Sequence, residues 1–262
     1  MIPSITIGIR TISAYMICAI IGIFAAGIVT LRKYDKTDKF NLELTIVMLW
    51  SAPGAIIGAH LLYGVTNLSN IVIAIQKGAD FISIVSAYFG GSVFYGGLLG
   101  GLASAVIYCK IAHIDFRKYI NSAALFVPLF HFFGRLGCFL TGCCFGMESH
   151  IGFIYKYSPI AEANNVVRFP IQLVEALGNL IIFLIILKLY ENVRFRGRLL
   201  SLYFILYSVL RFTTEFFRGD EYRGFLFSLS TSQIISIVLF IVGWITFIRK
   251  KRALCSAETD LT

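Results

Sequence analysis

The chain has 262 residues, of which 58% are hydrophobic and only 14% are charged. Several apolar runs reach the roughly 20 residues that cross a bilayer core, so the composition indicates an all-α, polytopic integral membrane protein and argues against a soluble domain. The formal net charge of +9 does not indicate a nucleic-acid partner, because the basic residues stand in short clusters beside the apolar runs. The six cysteines are too few for a disulfide scaffold.

Hydropathy predicts about seven membrane spans. They cover residues 12–31, 41–63, 88–108, 119–140, 169–190, 199–217 and 229–248. The first residues, MIPSITIGIR, lack the charged start and cleavage site of a signal peptide, so we expect the first apolar run to remain as a helix. Because no long polar segment separates the spans, we expect a single membrane domain over residues 1–262.

The basic residues predict the orientation. Four clusters follow the first, third, fifth and seventh spans: Arg32, Lys33, Lys36 and Lys39; Lys110, Arg117 and Lys118; Arg194, Arg196 and Arg198; and Arg249, Lys250, Lys251 and Arg252. Because basic residues favour the cytoplasmic side, the N-terminus is predicted outside and the C-terminus inside. The loops at about 64–87 and 142–168 are then external. The first contains NIVIAIQKGADFISIV, which suits an interfacial or re-entrant helix.

The third predicted span is rich in glycine, with the sequence YFGGSVFYGGLLGGLASA. Glycines let membrane helices approach closely, but they also open room for a ligand. In the second case Tyr95, directly before Gly96 and Gly97, would present its hydroxyl to that space. In the first case Tyr95 is an anchor at the membrane interface.

The sequence HFFGRLGCFLTGCCFG, residues 131–146, ends the fourth predicted span. Arg135 is an isolated charge in an apolar run, so it should face a cavity or a partner. Its planar guanidinium suits a phosphate or a carboxylate, and the surrounding glycines would expose backbone donors, so we favour an anion site. The alternative is a structural ion pair with Glu175 or Glu215.

Three cysteines, Cys138, Cys143 and Cys144, follow that arginine. Their spacing lacks the usual C-x2-C pairs, and no histidine stands at a standard offset, so no metal and no cofactor is predicted. Three interpretations remain open. The cysteines are small buried hydrophobic residues, Cys138 and Cys143 form a disulfide, or the thiols are nucleophilic or redox-active.

The later spans carry further polar side chains. In RFPIQLVEALGN, Gln172 and Glu175 share one helical face. In RFTTEFFRGDEYRG, the spacing of Arg211, Glu215 and Arg218 predicts one helical stripe. His60, near the outer end of the second span, either joins the same cavity or is a structural, hydrogen-bonded histidine.

Six motifs in order resemble the prolipoprotein diacylglyceryl transferase family nearly end to end. They are SITIGIRTISAYMICAIIG, GAIIGAHLLYG, FYGGLLGG, GRLGCFLTGCCFG, RFPIQLVEA and RFTTEFFRGD. The resemblance implies a seven-helix enzyme of the bacterial cytoplasmic membrane. Such an enzyme moves a diacylglyceryl group from phosphatidylglycerol to the lipobox cysteine thiol of a prolipoprotein and releases glycerol phosphate. The predicted topology places the motif around Arg135 and the segment from Arg211 to Arg218 toward the outer leaflet.

The candidate site combines positions that match the family with Tyr95 and His60, which stand at family positions but differ from the family pattern. The candidate catalytic residues are Tyr95, Arg135, Arg211 and Glu215. The candidate substrate-binding residues are Tyr15, His60, Gly96, Gly97, Gly137, Gly142, Gly146, Gln172, Glu175 and Arg218.

This chain departs from the family pattern at positions that touch chemistry. Tyr95 stands where the family has a histidine, and His60 where it has an arginine. Cys138 and Thr141 replace asparagines, and Cys143 replaces a glutamate. An unperturbed tyrosine is a poorer base at neutral pH than a histidine. There are two alternatives to a prolipoprotein transferase. One is a paralogue that uses a non-protein acceptor, and the other is a lipid-binding or transport protein.

Overall fold

The computed structural model describes residues 3–7, 10–34, 38–88, 94–195, 197–219, 225–226 and 229–259. This part of the chain is mostly helical. The helices are α1 (Ala14–Lys33), α2 (Asp38–Thr66), α3 (Leu68–Gln76), α4 (Phe81–Tyr88), α5 (Phe94–Ile111), α6 (Ile120–Thr141), α7 (Ile171–Leu189), α8 (Leu199–Thr214) and α9 (Thr231–Thr259).

Six helical segments of the described residues are long and apolar enough to cross a membrane. They are Ala14–Lys33, Leu42–Thr66, Asn121–Thr141, Ile171–Leu189, Leu199–Phe217 and Thr231–Arg249. The prediction of a polytopic, helical membrane protein is confirmed, and these segments overlap six of the predicted spans. The remaining predicted span, 88–108, overlaps α5, whose apolar part Leu99–Ile111 is shorter. The count of seven and the orientation stay predictions.

The two predicted external loops contain regular structure. The loop at 64–87 holds the short helices α3 and α4, and their position relative to the bilayer stays a prediction. The loop at 142–168 contains the strands β3 (Glu148–Ile154) and β4 (Val167–Arg168), which pair antiparallel. Two further antiparallel pairs are β1 (Ser4–Ile7) with β2 (Arg10–Ser13), and β5 (Phe225–Leu226) with β6 (Leu229–Ser230). None of these strands was predicted.

The chain divides into two compact units, one made of Met1–Arg32 with Ile120–Thr262 and the other of Lys33–Tyr119. In the first, α6, α7 and α8 share an apolar core that includes Leu125, Ile186 and Leu199, all fully buried. Burial of these side chains brings the polar faces of the same helices together. The prediction of one membrane domain over the whole chain stays a prediction.

The second unit is built on close packing of α2 against α5. A Cβ atom at Gly100 would collide with the Gly54 carbonyl oxygen, and one at Gly96 with the Gly58 carbonyl oxygen. Two backbones can approach this closely only where side chains are absent. The close-packing interpretation of these glycines is therefore confirmed, while a ligand role for Gly96 and Gly97 stays a prediction.

Candidate functional site

Four charged side chains form a continuous chain between α6, α7 and the end of α8. Arg135 Nη1 lies 2.9 Å from Glu175 Oε2. Arg211 Nη1 lies 2.6 Å from Glu175 Oε1, and Arg211 Nη2 lies 2.7 Å from Glu215 Oε2. Positive and negative groups alternate along the chain, so each buried charge has a partner of opposite sign.

The four side chains differ in accessibility. Those of Glu175 and Glu215 are each 2% exposed, and that of Arg211 is 8% exposed. Arg135, at 20%, is the most exposed member of the chain. Of the four, it is therefore the side chain most accessible from outside. The sequence left open whether Arg135 binds an anion or forms a structural ion pair. The ion pair with Glu175 is present, and the Arg135 side chain is still partly exposed.

Neutral side chains complete the contacts of Glu175 and Arg211. Thr214 Oγ1 donates to Glu175 Oε1 at 3.0 Å, and Arg211 Nη2 donates to Ser232 Oγ at 2.9 Å. Asn179 Nδ2 donates to the Glu175 backbone carbonyl at 2.8 Å. The sequence motifs did not point to Thr214, Ser232 or Asn179. Asn179 alone had a local signal, because it lies one helical turn beyond Glu175.

A tight loop follows α6 and carries two of the cysteines. Gly142 has φ +80° and Cys144 has φ +55°, both in the left-handed region. The Cys138 carbonyl accepts from the Gly142 amide at 2.9 Å and from the Cys143 amide at 3.2 Å, which ends the helix. A Cβ atom at Gly142 would also lie 2.8 Å from Tyr155 Cδ1. Glycine is therefore required at 142 for both its backbone angle and its space.

Gln172 fastens this loop to α7. Its Nε2 donates to the Cys143 carbonyl at 2.9 Å and to the Tyr155 hydroxyl at 3.1 Å. Burial raises the pKa of Tyr155 to about 12, so its hydroxyl stays neutral. Ser158 Oγ donates to the Gly142 carbonyl at 3.0 Å on the other side of the loop. Gln172 thus holds backbone structure, and a direct role in substrate binding stays a prediction.

The thiols of Cys138, Cys143 and Cys144 are brought together by this loop. Their Sγ atoms all lie within 4.8 Å of one another, and all three are free cysteines. The pKa of Cys144 lies well below its ordinary value, because the thiols of Cys138 and Cys143 donate to its sulfur and Arg218 and Arg135 add positive charge. The Cys138–Cys143 disulfide, one alternative from the sequence, is not formed. The spacing along the chain did not predict that all three thiols come together.

Arg218 does not continue the helical stripe that the sequence predicted. Helix α8 ends at Thr214, and a 3-10 turn covers Glu215–Phe217. Arg218 is then extended and forms a β-bridge with Gly146. The predicted stripe is therefore correct for Arg211 and Glu215, which form an ion pair, and wrong for Arg218. The bridge places Arg218 beside the cysteine loop, where its charge reaches Cys144.

Tyr15 packs against α6 at Gly137. A Cβ atom at Gly137 would lie 3.0 Å from Tyr15 Cα and 3.1 Å from both Tyr15 Cδ2 and Cys18 Cβ. Glycine at this position lets α1 approach α6 between Arg135 and Cys138. A Cβ atom at Gly146 would collide with the Phe169 carbonyl, so this glycine also permits close packing.

The other predicted site residues belong to the Lys33–Tyr119 unit. His60 is half-buried on α2, and Gly96 and Gly97 lie on α5. The side chain of Tyr95 lies outside the described part of the structure. Roles for these four residues at the Arg135 site stay predictions.

Comparison with known proteins agrees with the order of motifs. The sequence profile of the prolipoprotein diacylglyceryl transferase family matches residues 4–249. The chain is 34% identical over 218 residues to the phosphatidylglycerol–prolipoprotein diacylglyceryl transferase of Clostridium tetani (strain Massachusetts / E88), with 82% of each chain covered. It is 33% identical over 233 residues to phosphatidylglycerol–prolipoprotein diacylglyceryl transferase 2 of Clostridium perfringens (strain 13 / Type A). That match covers 87% of this chain and 84% of the relative. Matched over nearly its whole length, the chain belongs to the prolipoprotein diacylglyceryl transferase family.

Proposed function

We propose that this protein transfers a diacylglyceryl group from phosphatidylglycerol to the lipobox cysteine thiol of a prolipoprotein and releases glycerol phosphate. Membership of the family supports the reaction class, and the names of the relatives supply the donor and the acceptor. We further propose that the reaction takes place at the outer leaflet of a bacterial cytoplasmic membrane. The distribution of basic residues in the sequence supports that orientation.

The observation that carries the proposal is the partly exposed Arg135 held by a buried carboxylate. Its guanidinium is fixed by Glu175 at 2.9 Å, yet its side chain keeps 20% exposure. When the bond between a glycerol carbon and a phosphate oxygen breaks, negative charge develops on that phosphate. A guanidinium already oriented in a low-dielectric site stabilises such charge without reorganising.

In this scheme Arg211 and Glu215 are positioning residues and do not contact the donor phosphate. Both are nearly inaccessible and paired with each other, and Arg211 also holds Glu175. Their proposed role is to fix the carboxylate that orients Arg135. Arg135 is then the group that contacts the donor phosphate.

The acceptor thiol must lose its proton before it attacks the glycerol carbon. The candidate bases from the sequence are Tyr95 and His60. Glu215 is a weaker candidate for this role, because its carboxylate is 2% exposed and paired with Arg211.

The test uses the purified full-length protein in phosphatidylglycerol liposomes with a lipobox peptide. The expected products are the peptide with a diacylglyceryl thioether, detected by mass spectrometry, and free glycerol phosphate. A peptide with serine in place of the acceptor cysteine and liposomes without phosphatidylglycerol are the controls. Absence of the thioether adduct from a folded preparation contradicts the proposal.

A second candidate function keeps the lipid donor and changes the acceptor. It is favoured by the departures at Tyr95 and Cys143, which replace the histidine and the glutamate of the family pattern. Release of glycerol phosphate with a non-protein acceptor, and without a peptide adduct, would favour this paralogue.

A further inference from the structure

The three thiols at the end of α6 have the spacing of a metal-binding set. The Sγ atoms of Cys138, Cys143 and Cys144 all lie within 4.8 Å of one another. Zinc binds thiolates at about 2.3 Å, so three sulfurs around one tetrahedral zinc ion are about 3.8 Å apart. The observed limit of 4.8 Å is about 1 Å wider than that geometry.

The backbone is shaped to produce this convergence. Left-handed geometry at Gly142 reverses the chain after α6, and Cys144 adopts it too, with φ +55°. A residue with a side chain rarely takes this conformation, so its presence calls for an explanation. Hydrogen bonds from Gln172 to the Cys143 carbonyl and from Ser158 to the Gly142 carbonyl hold the loop in place.

Accessibility and charge also suit a bound ion. Cys138 is buried, while Cys143 and Cys144 are half-buried, so two of the three candidate ligands are partly accessible. Three thiolates around a divalent ion leave a net negative charge. Arg135 lies one helical turn before Cys138, and Arg218 is bridged to Gly146 at the end of the loop, so both add positive charge that offsets it.

We propose that Cys138, Cys143 and Cys144 bind one zinc ion through their three sulfurs. As each sulfur–zinc bond forms, the thiol releases its proton to water, and no group is oxidised or reduced. The spacing along the sequence argued against a metal, because it lacks the usual cysteine pairs; the left-handed loop brings the thiols together in spite of it.

Three protein ligands leave a fourth position on a tetrahedral zinc ion, as in catalytic zinc sites. A thiol that coordinates zinc is deprotonated, which makes it a nucleophile at neutral pH. We assign this position to the acceptor thiol, a step that rests on the proposed function. It would supply the deprotonation that a tyrosine at position 95 supplies poorly.

The first experiment measures metal binding by the reduced, metal-free, full-length protein in detergent. Titration with Co²⁺ should give a thiolate-to-cobalt charge-transfer band that saturates at one ion per chain and disappears when Zn²⁺ is added. Cys138→Ser, Cys143→Ser and Cys144→Ser should each weaken binding at least about tenfold, and Cys18→Ser, in α1, should leave it unchanged. No stoichiometric binding, or equal binding by the triple serine variant, overturns the proposal.

A second measurement uses only the wild-type protein, so misfolding of a variant cannot affect its result. Alkylation of the wild-type protein, read by peptide mass spectrometry, should be slowed by Zn²⁺ at Cys138, Cys143 and Cys144. Labelling of the half-buried Cys18 should stay the same. Equal labelling of all four thiols with and without Zn²⁺ contradicts a zinc site.

The fourth position is tested with the Co²⁺-loaded protein. A lipobox peptide should add intensity to the charge-transfer band, and the matched serine peptide should not. If both peptides leave the spectrum unchanged, the acceptor assignment is wrong. The liposome transfer assay reports the proposed function separately, so the two failures can be told apart.

Discussion

Glu175 binds two arginines from two different helices, with Oε2 2.9 Å from Arg135 Nη1 and Oε1 2.6 Å from Arg211 Nη1. One buried carboxylate on α7 therefore joins α6 and α8. It also keeps two guanidinium groups close together that would otherwise repel each other.

Replacing Glu175 with glutamine should destabilise the protein and abolish activity. The amide keeps the shape but removes the carboxylate that Arg135 and Arg211 share, so Arg211 keeps its pair with Glu215 while Arg135 loses its pair with Glu175. Removing one partner of a buried pair costs about 3–5 kcal/mol. The free energy of unfolding in detergent and the rate of peptide lipidation are the measurements.

The matched control for that change is Glu148→Gln. Glu148 also pairs with an arginine, at 3.6 Å from Arg168 Nη2, but its side chain is 71% exposed. Because water can replace the exposed Glu148 carboxylate, this change should cost no more than about 1 kcal/mol. Equal losses of stability in the two variants would show that burial of Glu175 is not what matters.

Replacing Arg211 with lysine should lower the transfer rate even though the positive charge remains. Arg211 reaches Glu175 with one terminal nitrogen and Glu215 and Ser232 with the other. A compact ammonium group cannot span these positions, so Glu175 would shift and carry Arg135 with it. A loss on the order of 100-fold is expected from a small displacement of this kind.

The control for the lysine change is Arg194→Lys, because Arg194 is exposed and distant in sequence from every residue of the site. Its rate should match the wild type. A wild-type rate in Arg211→Lys as well would mean that Arg211 contributes charge alone.

The helices could be predicted from the sequence because hydropathy over some 20 residues is a local property. Isolated charges such as Arg135 also stood out, since a charge in an apolar run is rare. The partner of Arg135 could only be narrowed to Glu175 or Glu215. The choice depends on how α6 packs against α7 and α8, which is a property of the assembled core.

Replacing Gly142 with alanine should destabilise the loop that carries the cysteines. Its φ of +80° costs a residue with a Cβ atom about 1–2 kcal/mol. In addition, the new Cβ would lie 2.8 Å from Ser158 Cβ and from Tyr155 Cδ1, so these side chains must move.

The Gly78→Ala variant separates the cost of the left-handed backbone from the cost of the new contacts. Gly78 has φ +77°, but nothing lies within 4 Å of the position that a Cβ atom would take there, so only the backbone cost applies. Thermal unfolding should show a larger loss for Gly142→Ala than for Gly78→Ala. Equal losses would mean that the contact with Ser158 and Tyr155 adds nothing.

Replacing Gly100 with alanine should disrupt the packing of α2 on α5. The added Cβ would meet the Gly54 carbonyl oxygen, and overpacking costs about 1–3 kcal/mol. Gly134→Ala is the matched helical control, because nothing lies within 4 Å of its Cβ position. Alanine there should stabilise the helix by about 0.5–1 kcal/mol. A lower unfolding temperature for Gly100→Ala together with a higher one for Gly134→Ala supports the close packing of α2 on α5. An unfolding temperature of Gly100→Ala that is not lowered contradicts it.

The cysteine loop illustrates what the sequence could not reveal. The separation between Cys138 and the Cys143–Cys144 pair matches no common metal motif. Their convergence requires a left-handed residue at Cys144, and a non-glycine residue gives no sign of that conformation. The helical stripe predicted to include Arg218 was wrong for a different reason, because the Gly146–Arg218 bridge pairs segments distant in sequence.

The most direct test of the Arg135 site is the lipidation rate of Arg135→Gln in phosphatidylglycerol liposomes, with Arg194→Gln as the exposed control. Glutamine keeps a donor near Glu175 but removes the charge that would meet the donor phosphate. We expect a folded protein whose rate is lower by roughly 10²- to 10³-fold, with a control that matches the wild type. A folded Arg135→Gln variant that lipidates the peptide at the wild-type rate would contradict the proposed role of Arg135.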